Sequence, residues 1–255
     1  MPLRCVYTDL DGTLLGRGAS LFHDGDGQFT LLAGRALEAC HRAGVEVVPI
    51  SGRRRGQVAE PARLIGATAY CFEIGGGLVV DGEESWLCGD FQPRDGQTPW
   101  ELVDQSGAPS LLLDAYADTL ELHTPWDSGR EVTHLFRGMV DVAAANALLD
   151  GNGHAGVRLL DNGTIDADRR CYHLAPATAS KAAAVAAHMQ ARGYAPADCI
   201  AVGDSHEDSE VAPVVGQLFL VANADPNLPA GPNTTRTEDS HGAGFYEAVI
   251  QSLMA

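Results

Sequence analysis

Four short stretches of this chain carry residues able to do chemistry. In Asp9-Leu10-Asp11-Gly12-Thr13 two carboxylates stand one residue apart after an apolar run, so strand alternation sends both to the same side. One can attack an electrophile while the other handles a proton. A lone D-x-D-G is equally an Asx-type turn. Ser51-Gly52-Arg53 offers a hydroxyl and backbone amides to phosphate oxygens, or makes only a turn. Lys181 is the sole lysine among 17 basic residues and stands near a helix start, where N-terminal amides already attract an anion. Gly203-Asp204-Ser205-His206-Glu207-Asp208 spaces Asp204 and Asp208 to converge on one hard cation, for which carboxylate oxygens suit Mg²⁺; helix capping by Asp204 or Ser205 is the competing role.

These stretches share one placement: each reactive residue follows an apolar strand or opens a helix, where an open parallel sheet binds ligands. Val6 to Leu10, Val45 to Ile50 and Ala69 to Ile74 read as strands. Helices are expected over Leu31 to Ala43 and Gln57 to Leu64, with a hairpin of Leu78-Val79-Val80 and Ser85-Trp86-Leu87 across Asp81-Gly82. That alternation predicts an α/β fold, a parallel sheet with helices on its faces. From about Gly89 to Cys171 the pattern changes to a separate α+β insertion. Its expected strands are Ser110 to Tyr116, Glu131 to Phe136, Val157 to Leu160 and Cys171 to Leu174, its helices Trp100 to Gln105 and Val140 to Leu149, and its hairpin turn Asn162-Gly163. Beyond it come a helix over Ser180 to Arg192, a strand over Cys199 to Val202, a short helix over Ser209 to Val214, a strand over Leu218 to Val221 and a terminal helix over Gly244 to Leu253.

Composition bounds the partners. There are 17 Lys+Arg against 34 Asp+Glu, a formal charge of −17, which repels nucleic-acid backbones and anionic membranes. The six cysteines form no C-x-x-C pair and no zinc spacing. No apolar stretch is long enough for a span or a signal peptide, so a cytoplasmic protein with reduced thiols is expected.

Taken in order, the four stretches resemble the motifs of the haloacid dehalogenase superfamily, and the insertion between the second and third looks like the larger α+β cap of its sugar-phosphatase branch, which includes Cof-like, mannosyl-3-phosphoglycerate and sucrose-phosphate phosphatases. Glu73-Ile74-Gly75-Gly76-Gly77, Val221-Ala222-Asn223-Ala224 and Gly242-Ala243-Gly244-Phe245 also look like segments of that branch. The resemblance implies a Rossmann-like hydrolase core over 1–87 and 175–255 with a cap over 88–174 choosing the substrate. It implies that Asp9 is the nucleophile forming an aspartyl-phosphate and Asp11 the acid, then base. Leu10, Ser51, Gly52 and Lys181 would hold the phosphate, and Mg²⁺ would sit among Asp9, Asp11, Asp204 and Asp208. Substrate contacts are expected from Arg53 and Asn223 and, in the cap, from His123, Trp126, Arg130, Glu131, His134 and Arg137. Two positions depart from the pattern: Glu207 replaces an Asn, and Gly75 stands where many relatives carry Asn.

The cation requirement also follows from charge alone, since four carboxylates in one pocket cannot all stay ionised or admit a dianion without it. The expected activity is Mg²⁺-dependent hydrolysis of a small, sugar-like phosphate monoester by a monomer or homodimer. The alternatives are a phosphomutase of the same superfamily and a catalytically silent binding protein.

Overall fold

The apolar runs that end in Asp9, Ser51 and Asp204 form three neighbouring strands of one parallel sheet. A computed structural model describes residues 3–166 and 168–255 of the chain. In chain order its elements are β1 (Cys5–Thr8), α1 (Leu32–Ala43), β2 (Glu46–Pro49), α2 (Arg55–Leu64), β3 (Ala69–Phe72), β4 (Gly77–Val80) and β5 (Glu83–Trp86). There follow α3 (Pro99–Gln105), α4 (Ala108–Ala115), β6 (Leu120–Leu122), β7 (His134–Gly138), α5 (Val142–Gly151), β8 (Val157–Asp166) and β9 (Arg169–Pro176). The chain closes with α6 (Lys181–Arg192), β10 (Cys199–Gly203), α7 (His206–Ser209), β11 (Gln217–Leu220), β12 (Thr234–Arg236) and α8 (His241–Met254).

The main sheet runs β12-β11-β10-β1-β2, all parallel, and a bridge from Ile50 to Cys71 extends it toward β3. The chain moves from β1 outward to β2 and later returns to β10 on the other side of β1. The strand order therefore reverses between β1 and β10, and a crevice opens there above the strand ends. Apolar residues cover both faces, as a parallel sheet requires. Val6, Val47, Ile200 and Val202 pack under α1 and α8, and Cys5, Tyr7, Val48, Ala201 and Leu218 under α6.

A second sheet, antiparallel in the order β6-β7-β9-β8, belongs to the middle of the chain. Leu112, Phe136, Leu149, Leu159, Tyr172 and Leu174 join it to α3, α4 and α5 in a core of its own. At about 1.5–3 kcal/mol per buried large apolar side chain, this cluster can hold a separate layer together.

Four expectations change. Ser110 to Tyr116 is not a strand: residues 108–115 form α4, with Pro109 in its first turn and Leu112 fully buried. A short run of leucines has no period that separates strand from helix, and leucine favours helix when one face can be buried. Asn162-Gly163 is not a hairpin turn. Both lie within β8 at an irregularity between Asp161 and Thr164, and the chain reverses only after the Asp166–Arg169 pair. Gly163 there has a φ of +96° and donates its N–H to Asp161 Oδ1 at 2.9 Å, so the dipeptide forms a bulge. Residues 131–133 precede β7 instead of joining it, and the helix expected over Ser209 to Val214 is divided between α7 and a 3₁₀ turn at Ala212–Val214. The two three-residue strands β6 and β12 are too short to leave a periodic signal.

Candidate active site

Each motif residue owes its place to a strand end or a helix start. Asp9 follows β1 and its N–H is held by the Val202 carbonyl of β10 at 3.0 Å, which locks it at the reversal point of the sheet. Gly12 takes a φ of +82° to turn the chain, and a Cβ there would lie 2.3 Å from Asp204 Oδ2. Only glycine lets the β1 loop pass so close to Asp204. Thr13 is buried and donates to Asp204 Oδ1 at 3.1 Å. Ser51 and Gly52 follow β2, with the Ser51 N–H bonded to the Cys71 carbonyl. Lys181 is the first residue of α6, whose N-cap Ser180 accepts the Ala183 N–H at 3.0 Å.

The four stretches meet. Lys181 Nζ lies 2.7 Å from Asp9 Oδ1 and 2.7 Å from Asp208 Oδ1, and all three residues are buried. Carboxylate oxygens of Asp9, Asp204 and Asp208 come within 4.8 Å of one another, a spacing and a hard-oxygen donor set suited to a divalent cation. The electrostatics fit the same reading. Burial, reinforced by Asp208, pushes the Asp204 carboxyl up to about 7. Burial likewise drives Asp9 upward against the relief from Lys181, and Asp208 and Asp204 add to the rise. For Lys181 burial acts downward, but Asp208 and Asp9 override it and hold the ammonium charged. The pocket thus has more negative charge than one lysine neutralises.

Asp208 differs from the other two carboxylates. Its Oδ1 takes Lys181, and its Oδ2 accepts from the Asp204 N–H, the Ser205 N–H and the Ser205 hydroxyl, the last at 2.7 Å. It pins the loop and aims the lysine. Glu207 is buried beside it, and burial raises its carboxyl.

Asp11 stands apart, half exposed, with both oxygens held by Arg53 at 2.5 Å. Asn223 bonds the Gly12 carbonyl and the His241 N–H, so it braces the β1 loop and is not aimed at the Asp9 carboxylate.

Above these residues lies a cavity of about 600 Å³, with Asp9, Asp11, Ser51, Arg53, Lys181 and Asp204 as its floor. Its roof comes from the antiparallel sheet: His123, Trp126, Arg130, Asn162, Cys171 and His173. Of the six cap residues expected to face the core, His123, Trp126 and Arg130 do so. Glu131 instead pairs with Arg55 at 2.8 Å. His134 stacks on Trp100, ring centroids 4.2 Å apart, and donates from Nε2 to the Trp100 carbonyl within the cap. Arg137 pairs with Glu121 at 2.6 Å, its register partner on β6, outside the cavity. Alternation along β7 puts His134 on the helix side, and one further pair carries Arg137 past the rim.

Three contributors escaped the sequence reading. His173 is fully buried in an apolar strand, where burial lowers its basicity well below the ordinary range, so it is neutral; its Nδ1 lies 3.1 Å from Thr133 Oγ1. Asn162 reaches the cavity because of the β8 bulge. Glu73 is the third. It is completely buried at the end of β3, and its carboxylate accepts the N–H groups of Glu131, Val132 and Thr133 and the Thr133 hydroxyl, all at 2.8–3.1 Å. Arg130 adds a partner at 3.8 Å and donates to the Gly52 carbonyl at 3.1 Å. An acid at the end of an apolar run, ahead of Ile74 and three glycines, was the available signal, though not its burial.

Comparison with known proteins agrees with this geometry. The family described as haloacid dehalogenase-like hydrolase matches residues 158–245, the stretch holding Lys181, Asp204 and Asp208. A phosphoglycolate phosphatase of Methanothermobacter thermautotrophicus is 26% identical over 254 residues, covering 97% of each chain. An HMP-PP phosphatase of Cronobacter sakazakii is 25% identical and covers 86% of this chain and 84% of its own. Among solved structures, the sucrose-phosphatase of Synechocystis, in complex with sucrose and phosphate, superposes with a TM-score of 0.73 at 16% identity over 99% of this chain and 98% of that one. These matches support a phosphatase of the haloacid dehalogenase superfamily, and the five-stranded parallel sheet with its separate antiparallel sheets matches that superfamily's Rossmann-like fold with a cap.

Proposed function

We propose that the protein hydrolyses a small organic phosphate monoester, dependent on Mg²⁺ and through an aspartyl-phosphate on Asp9. The observation that carries the reading is the buried Asp9–Lys181 pair at the reversal point of the sheet, with Asp204 beside it. Asp9 Oδ1 already rests against the one ammonium able to neutralise an incoming phosphoryl oxygen, so nucleophile and anion site are a single unit. Ser51 and the amides of Leu10 and Gly52 supply further donors to the same oxygens. Asp11 protonates the leaving alkoxide and then takes a proton from the hydrolytic water. Arrival of the phosphate offers Arg53 a second anion and loosens its hold on Asp11.

Asp9 and Asp204, with the main chain of Asp11, are the residues that would hold Mg²⁺, and Asp208 supports them through Ser205 and Lys181. The ion would supply positive charge to bring a dianionic ester against three carboxylates.

We assign residues 1–87 and 175–255 to the hydrolase core and 88–174 to the cap, and place the protein in the cytoplasm. Among the described residues no helix is long and apolar enough to cross a membrane. For substrate, the roof of the cavity offers one buried cation, Arg130, two imidazoles and an exposed Trp126 ring. His123 Nδ1 is buried there with no hydrogen-bond partner among the described residues. That mixture suits a short polar or acidic group, and the several relatives that are phosphoglycolate phosphatases make phosphoglycolate the first compound to test, ahead of sugar phosphates.

The test is phosphate release from phosphoglycolate, glycerate, polyol and sugar phosphates with Mg²⁺. We expect turnover of at least one, abolished by excess chelator and by Asp9→Asn. Turnover that persists in chelator contradicts the metal requirement, and turnover of none overturns the hydrolytic reading.

A further inference from the structure

Far from the phosphate cavity, at the opposite end of the strands that carry it, three donors of different chemistry converge in a buried place. Cys5 opens β1, and its register partners are Glu46 on β2 and Cys199 on β10, so the three side chains stand in a row on one face. His188 of α6 comes down on that row. The Cys5 sulfur, a Glu46 oxygen and a His188 nitrogen lie within 4.8 Å of one another. Along β1 the distance from Asp9 is about 13 Å at ~3.3 Å per residue, so the cluster is separate from the active site.

The imidazole is the informative member. His188 is completely buried, its Nδ1 is fixed by the Tyr7 hydroxyl at 2.8 Å, and its Nε2 has no hydrogen-bond partner among the described residues. Glu46 Oε1 lies 3.6 Å from Nε2, beyond a hydrogen bond. A buried imidazole nitrogen left unpaired is costly. In the tautomer that donates Nδ1–H to the Tyr7 oxygen, Nε2 presents a lone pair, and an oxygen behind Nδ1 is how metal-binding histidines are held.

We propose that Cys5, Glu46 and His188 form a second metal site, for a Zn²⁺-type ion. Thiolate, imidazole and carboxylate are the donors this ion takes, at about 2.0–2.3 Å, and the combination does not suit Mg²⁺. Cys199, beside Cys5, is the available fourth donor. Burial keeps the Cys5 thiol protonated, so binding forms a metal–sulfur bond and releases the thiol proton to solvent. Arg192 shares Glu46 at 2.9 Å but is also held by Asp81, so it keeps a counter-charge when Glu46 turns to the ion. Tyr194, which donates to Glu46 Oε2 at 3.0 Å, orients that carboxylate. The ion ties β1, β2 and α6 together.

The experiment is a Co²⁺ titration of the chelator-washed full chain in excess Mg²⁺, followed by near-ultraviolet absorption. A thiolate-to-cobalt band saturating near one equivalent and bleached by Zn²⁺ is expected, absent from Cys5→Ser and unchanged in Asp9→Asn. Tyr7→Phe, which removes only the hydroxyl behind His188, should weaken binding about 10- to 100-fold. No sulfur band in the wild type overturns the site, and an undiminished band in Cys5→Ser overturns the assignment of Cys5. Should Cys5→Ser fail to fold, X-ray absorption of the Zn²⁺-loaded wild type decides: a sulfur neighbour at about 2.3 Å supports the site, and oxygen and nitrogen alone overturn it.

Discussion

Asp11 and Arg53 define what can be learned at single residues. Arg53 now engages both oxygens of Asp11, an acid that is half exposed and outside the Asp9, Asp204, Asp208 cluster. Proton transfer, not binding, is its assigned task, so Asp11→Asn should lower kcat by about 10²- to 10⁴-fold with KM little changed. Steady-state kinetics on the best substrate check this, and an unchanged kcat removes Asp11 from the chemistry. A second pair separates lining from mere proximity. Arg137→Ala should leave kcat and KM unaltered, because Arg137 is spent on Glu121 beyond the rim. Arg130→Ala should raise KM and also lower Tm, since Glu73 loses its buried counter-charge. The departure at Gly75 has a steric cause: with φ at +81°, a Cβ there would lie 2.1 Å from the Ser180 carbonyl, at the cap of the helix that presents Lys181. Asp9, Ser51, Lys181 and Asp204 were legible in the sequence because a strand end or helix start fixes where they point. Arg137 and His134 were not, because a cap side chain's direction depends on the pairing register, which composition does not encode.

Among elements, strands of the parallel sheet were readable as apolar runs bounded by Gly and Asp, while α4 was misread and β6 and β12 were invisible. The difference is length and burial: α4 is eight residues with few polar markers, and its helical state is decided by the sheet it packs against. Asn162-Gly163 carried a strong turn signal that the register of β8 and β9 overrode, and the resulting bulge delivers Asn162 to the cavity. The contact between β2, α6 and the β4–β5 turn yields a pH prediction. Burial opposes ionisation of Glu46, but His188 and Arg192 outweigh it and hold the carboxyl down at about 2. A lowered acid stabilises the fold above its unfolded value of about 4.3, and that contribution is lost as pH falls from there toward 2. In metal-free protein, Glu46→Gln should therefore melt lower than wild type at pH 7, with the gap closing on acidification. A gap that stays constant from pH 7 to 3 contradicts this coupling.

For the molecule as a whole, the charge of −17 has a local meaning. Three of its carboxylates crowd a buried site with one lysine, and the proposed ion would supply the positive charge that lets an anion enter. The two layers are clasped by Glu73, which reaches from the end of β3 to four donors at the start of β7 and so sets how the roof sits over Asp9. The core, the cap and their order along the chain were legible from the changing pattern of elements. The clasp was not, because a buried glutamate looks the same in sequence as an exposed one. The central claim is that Asp9 itself attacks phosphorus. Acid-quenching the enzyme during turnover of its best substrate and mapping the phosphoryl group by mass spectrometry tests it most directly. An acyl-phosphate on the peptide containing Asp9, absent from Asp9→Asn, is expected. Turnover of Asp9→Asn at the wild-type rate, or a phosphoryl group mapped to another residue, would contradict it.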